Sequence, residues 1–137
     1  MMKRFLGIII LGLFLGTQIL AADDVYYCLD DQFLAFSGKE KSFGEVKHYK
    51  PQKFQFKFIE NTENDLLAKL IMTERGENTE YECRRGVGQI FECTYWGTVF
   101  VFNRDLNIYS RADVSSFGYP WKDKDDMWMS YGTCGKY

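Results

Sequence analysis

The sequence predicts an all-β domain: a small antiparallel β-barrel of about eight or nine short strands, following an N-terminal signal helix that is cleaved. Three observations point there. From residue 25 onward apolar residues alternate with polar ones at the period of a half-buried strand. Turn-forming clusters interrupt that alternation every 8 to 12 residues or so, the spacing of a sandwich or barrel. Beyond the first 22 residues no segment longer than ten carries a helical period. Composition agrees, since 12 Phe, 9 Tyr and 3 Trp favour strands over helices.

The first 22 residues, "MMKRFLGIIILGLFLGTQILAA", have a basic start at Lys3 and Arg4, an apolar run from Phe5 to Leu15 and small residues at Ala21 and Ala22. This is the three-part pattern of a secretory signal peptide. A retained anchor is the other reading, because Phe5 to Ala22 just reaches across a bilayer core of ~30 Å. Cleavage after Ala22 leaves 115 of the 137 residues as a single domain, 23–137, with 15 basic and 19 acidic residues, a net charge of −4. That size suits one modest core. The acidic balance supplies no electrostatic footprint for nucleic acid, and none for a membrane once the signal is removed.

Taken in order, "VYYC" and "QFLAFS" read as a hairpin across the "LDD" turn. In "QKFQFKFIE", Phe54, Phe56 and Phe58 share one face, and Gln55, Lys57 and Ile59 the other. "LLAKLIMT" follows the "NTEND" turn as a second apolar strand, and "ERGEN" turns the chain again. The rhythm continues through "TEYECR", "QIFECTYW", a tight reversal at Gly97, "TVFVFN" and "LNIYSRA". "DVSSFGYPWKDKDD" reads as loop and "MWMSYGTC" as the last strand. Barrel closure accounts for so many aromatic strands without exposed edges.

The four cysteines, Cys28, Cys83, Cys93 and Cys134, all lie beyond the signal. An even number in an exported chain indicates two disulfides. A zinc site needs closer spacing than the ten residues separating the nearest pair. Chain entropy does not choose the pairing: Cys28–Cys134 with Cys83–Cys93 sums to roughly 7.5 kcal/mol, and Cys28–Cys83 with Cys93–Cys134 to roughly 8. Geometry chooses the first, because Cys83 and Cys93 flank a hairpin turn symmetrically and would oppose each other across it. Cys28 and Cys134 would then tie the first strand to the last.

No catalytic constellation emerges. His48 stands alone in "VKHYKP" and reads as a surface residue in a charged loop. Oxidised cysteines offer no nucleophile, and no serine sits in a recognisable elbow. "GVGQIF" lacks the third glycine of a dinucleotide loop and reads as a hairpin turn. Asp123, Asp125 and Asp126 lack the glycine and distal glutamate of a calcium loop and read as a solvated charge run. Asp30 and Asp31 are the carboxylates a hydrolase would need, but they read as turn residues. No cofactor is expected. The aromatic surplus alone points to a function, with Tyr95, Trp96, Tyr119, Trp121 and Trp128 as candidate binding residues for an apolar small molecule or a protein partner. Its plain reading is core, because a barrel of this size needs ~10 to 15 large inward side chains to fill itself.

"YYC" near the mature start and "YGTCGKY" at the end resemble small exported bacterial proteins of unassigned function that finish in a G-T-C-x-x-aromatic tail. The chain is also similar, more loosely, to periplasmic inhibitors of C-type lysozyme, small barrels with Tyr-x-Cys near the start, here Tyr26 and Cys28, and a terminal cysteine, here Cys134. That resemblance implies a lysozyme-inhibitor-like or lipocalin-like barrel in the periplasm or outside the cell. The inhibitors' Phe-Trp-x-Lys-Gly stretch has no counterpart, since "TYWGTVF" lacks the lysine, and no functional residue is carried over. The expected function is a non-enzymatic exported binding domain. The alternatives are an inhibitor of a lysozyme-type hydrolase and a carboxylate-dependent hydrolase.

Overall fold

A computed structural model describes residues 24–36, 46–114 and 127–136. The expected signal segment and the stretch bearing Tyr119, Trp121, Asp123, Asp125 and Asp126 lie outside the described residues. Within them the chain is all-β, in nine strands: β1 (Val25–Phe36), β2 (Val46–His48), β3 (Lys53–Glu60), β4 (Leu67–Glu74), β5 (Glu77–Arg85), β6 (Ile90–Tyr95), β7 (Thr98–Asn103), β8 (Ile108–Asp113) and β9 (Met127–Lys136). Every pairing is antiparallel. β1 and β3 to β9 pair in sequence order, and β9 returns to β1, which closes an eight-stranded barrel; β2 adds to the far half of β1.

Two expectations need correction. "VYYC" and "QFLAFS" do not form a hairpin across "LDD", because β1 runs unbroken through both. The register against β9 slips between Asp30 and Gln32, so Asp31 is the extra residue of a β-bulge. A bulge sharpens the local bend without reversing the chain. This bend lets one strand pair with β3 at its start and β2 at its end while β9 covers its whole length. His48 likewise is no loop residue: it ends β2 opposite Leu34, with its side chain exposed.

The alternation read from sequence becomes an inside and an outside. Phe54, Phe56 and Phe58 are buried, as are Phe91, Phe100, Phe102, Tyr26 and Leu70 on neighbouring strands. Their rings fill the interior by direct contact: Tyr26 stacks on Phe56 at 5.0 Å, and Phe56 meets Phe100 and Phe102 edge-on at 5.2 and 5.0 Å. Such offset and edge-on pairs add to what burial alone contributes. At one end Arg104 lies over Phe58 and Phe91, with its guanidinium 5.1 and 4.8 Å from the ring centres, and Arg85 lies 5.4 Å from Phe91. These cations cover the aromatic stack with a polar surface.

Both disulfides follow from the ladder. Cys83 faces Cys93 across β5 and β6, and Cys28 faces Cys134 across β1 and β9; each pair is bonded. Disulfides of this kind belong to an oxidising, non-cytosolic compartment. Next to the terminal seam, Gly132 is obligatory. A Cβ there would run into the Leu29 carbonyl oxygen and stand 2.8 Å from the Tyr109 hydroxyl.

Candidate binding face at one end of the barrel

Away from the arginine-covered end, the barrel core is polar. Arg111 on β8 points inward at the level where the β1 bulge bends, and its side chain is 3% exposed. Its Nη2 donates to Asp30 Oδ2 at 3.2 Å, its Nη1 donates to both Glu74 oxygens at 3.2 and 3.3 Å, and its Nε donates to Ser130 Oγ at 2.9 Å. The guanidinium also sits over Phe54 at 4.3 Å and Trp128 at 5.3 Å. A planar fork that donates in several directions while stacking on rings is what arginine, unlike lysine, can supply.

Asp30 is entirely enclosed. Its Oδ1 accepts the Tyr109 hydroxyl at 2.5 Å, and its Oδ2 accepts the Gln52 backbone N–H at 2.9 Å besides Arg111. With both oxygens committed, this carboxylate ties β1 to β8 and to Gln52, the residue just before β3. Asp31, the neighbour read with it from sequence, is exposed at the bulge, so one faces the interior and the other solvent. Among the described residues no group of three or more His, Cys, Asp or Glu side chains converges as a metal site.

The network affects two tyrosines. Burial, then the hydrogen bond to Asp30, pushes the Tyr109 hydroxyl far above its ordinary pKa of 10.0. Burial also pushes Tyr81 up to about 12, with Arg111 opposing and Glu74 reinforcing the shift. Both groups favour the protonated form in the folded state. Their contribution is therefore fully present below pH 10 and is lost as pH rises through the folded-state values. A titration of tyrosinate absorbance will show two tyrosines still protonated near pH 11, ionising only as the fold opens. Tyr81→Phe will remove one of them from that late phase.

Above this network lies the rim. Its hairpin tips are two-residue turns, Arg75-Gly76 between β4 and β5 and Trp96-Gly97 between β6 and β7. Both residues of each turn have positive φ, 52° and 79° in the first and 45° and 88° in the second. That is the type I′ geometry, whose twist matches the flanking strands and whose favoured sequence is Asn-Gly. At Arg75 the departure has a local partner, since its Nη2 donates to Gln52 Oε1 at 3.1 Å. Trp96 has a bulky side chain on a backbone that such residues rarely adopt, and it is 79% exposed.

Of the five residues singled out from sequence, three are described and all stand at this end. Tyr95 is 43% exposed and packs on Tyr81 at 5.7 Å, beside Trp96 at the tip. Trp128, half-buried, contacts Phe33 at 5.3 Å, and Phe33 contacts Tyr49 at 5.5 Å. The β8 end bearing Asp113 joins the two groups, pairing with Thr98 on one side and Trp128 on the other. Tyr119 and Trp121 lie outside the described residues. The sequence reading missed the network beneath. Its signal was present: Asp30 shares the parity of Tyr26 and Cys28, and Arg111 that of Tyr109, so both charges had to point inward.

Comparisons with protein-family models, with curated proteins and with solved structures give no match.

Proposed function

We propose that this chain is a non-enzymatic binding domain, exported to the periplasm or beyond after signal cleavage, that recognises a protein partner through the aromatic rim. One observation carries the reading: Trp96 is held largely exposed in a turn whose backbone disfavours it. Backbone strain persists where the surroundings enforce it and clusters at functional positions. Exposed tryptophans, for their part, are common energetic anchors of protein interfaces. The packed aromatic interior favours this over an apolar small molecule held inside the barrel, because a ligand there would have to displace rings already in contact. Asp30, with both oxygens engaged, counts against the hydrolase reading.

Immobilised protein will capture a partner from the periplasmic and secreted fractions of its own cells. Trp96→Asn will lose that partner, whereas Leu106→Asn, an exposed position at the opposite end, will keep it. Equal retention by both variants would refute the rim as the binding face. A second reading, inhibition of a C-type lysozyme, rests on the closed barrel with its first and last strands stapled. It predicts suppression of lysozyme at a stoichiometric ratio, and no suppression at micromolar excess would end it.

A further inference from the structure

The end of the barrel away from the rim gathers cations over buried rings. Arg85, the last residue of β5, and Arg104, the first residue after β7, come from the strands on either side of β6. Both guanidiniums lie against the buried Phe91 of β6, at 5.4 and 4.8 Å from its ring centre. Each backbone is pinned to a neighbouring loop. The Arg85 N–H donates to the Leu66 carbonyl at 2.8 Å, and the Arg104 N–H donates to the Gln89 carbonyl at 3.0 Å. The fold therefore holds the two arginines together on one ring.

Covering the rings does not require both. Arg104 alone spans Phe58 and Phe91, at 5.1 and 4.8 Å. A second guanidinium on the same ring adds repulsion between like charges, and an anion between them relieves it. The chain supplies one anion, loosely held: Glu60 Oε1 accepts from both terminal nitrogens of Arg104 at 3.4 Å, and its side chain is 61% exposed. Among the described residues Arg85 makes no ion pair and no side-chain hydrogen bond. Other cations of the chain are closely paired. Lys69 meets Glu80 at 2.7 Å, Lys136 meets Asp24 at 2.8 Å, and Arg111 has both Asp30 and Glu74. Arg85, Arg104 and Glu60 together keep one positive charge uncompensated. The Nε of each arginine is buried and has no acceptor among the described residues, so the terminal nitrogens are the donors that a ligand reaches.

We propose that Arg85 and Arg104 bind a phosphate group at this end of the barrel, their terminal nitrogens donating to its oxygens. Guanidinium forks pair bidentately with carboxylate or phosphate. A phosphate monoester has three terminal oxygens and can serve two forks, where the two oxygens of a carboxylate fill one. Its charge of about −1.5 to −2 at pH 7 also exceeds what the cluster lacks. Two sources carry this chemistry: a soluble phosphate compound, and a lipid headgroup, beside which the exposed Val87 and Leu106 of the adjoining turns would meet the membrane surface. The site is independent of the rim, which lies at the opposite end.

Nuclear magnetic resonance of the purified protein, titrated with inorganic phosphate to ~20 mM while sodium chloride holds the ionic strength constant, tests this. The Nε–H signals of Arg85 and Arg104 will move along one saturating curve in the millimolar range, and that of the exposed Arg84 will stay in place. Arg85→Gln will weaken binding about tenfold or more, and so will Arg85→Lys, which keeps the charge but loses the fork. Arg84→Gln, one residue away on the outer surface, will leave binding unchanged, and circular dichroism will verify the fold of each variant. No saturable shift in the wild type would overturn the proposal, as would equal shifts with chloride alone or an Arg85→Lys variant that binds as the wild type does. Flotation with phosphatidic acid vesicles but not with phosphatidylcholine vesicles, reversed by inorganic phosphate, would support the site and put its phosphate on a lipid. Saturable phosphate binding without flotation would support the site and make its ligand soluble.

Discussion

Arg111→Met will destabilise the fold by roughly 3–5 kcal/mol, the cost of leaving a buried charge without its partner. The stranded group is Asp30, whose side chain is 0% exposed and so has no access to water. Tyr109 and the Gln52 amide would still donate to it, but neither carries a compensating charge. Glu74 is 31% exposed and can turn to solvent, so it adds little to the loss. Pairing the change with Asp30→Asn removes the orphaned charge, and the double variant will recover at least half of the lost stability. Urea unfolding of the three variants measures this directly. A loss of about 1 kcal/mol or less in the single variant would mean that the network is dispensable.

Removing the terminal seam by Cys28→Ala with Cys134→Ala will cost about 3–5 kcal/mol, near the upper end for a disulfide. The bridge spans 106 residues and restricts nearly the whole unfolded domain, whereas Cys83–Cys93 spans 10 and restricts one hairpin. On the chain-entropy model the two losses are ~4.8 and ~2.8 kcal/mol, so the terminal pair should matter more by about 2. Thermal and urea unfolding of each double variant tests the order. Equal losses would indicate that the unfolded chain already holds its ends together, or that native-state effects outweigh chain entropy.

The fold was legible because its logic is periodic. Phe54, Phe56 and Phe58 declare an inside face in five residues, and the turns declare where each strand stops. Cys83 and Cys93 could be paired because a hairpin imposes its own register. The β1 bulge was illegible for the opposite reason. "LDD" has the composition of a turn, and only the tertiary pairing of β1 with β9 along its whole length shows that the chain goes straight on. Misreading those residues also concealed the network, since an aspartate assigned to a turn is not sought in a core. At the rim, Tyr95, Trp96 and Trp128 were singled out as binding candidates by residue type alone. That Trp96 occupies a left-handed position was not visible, because "YWGT" does not carry the Asn-Gly signature of the turn it forms.

The claim that Trp96 is retained for recognition, against the interest of the fold, can be tested without knowing the partner. Trp96→Asn supplies the residue that the type I′ turn prefers and removes a side chain that contributes little to packing. The change should raise stability in urea by about 1–2 kcal/mol, the strain of a bulky residue in the left-handed region. A loss of stability would contradict the account, because it would show that the Trp96 ring serves the barrel itself.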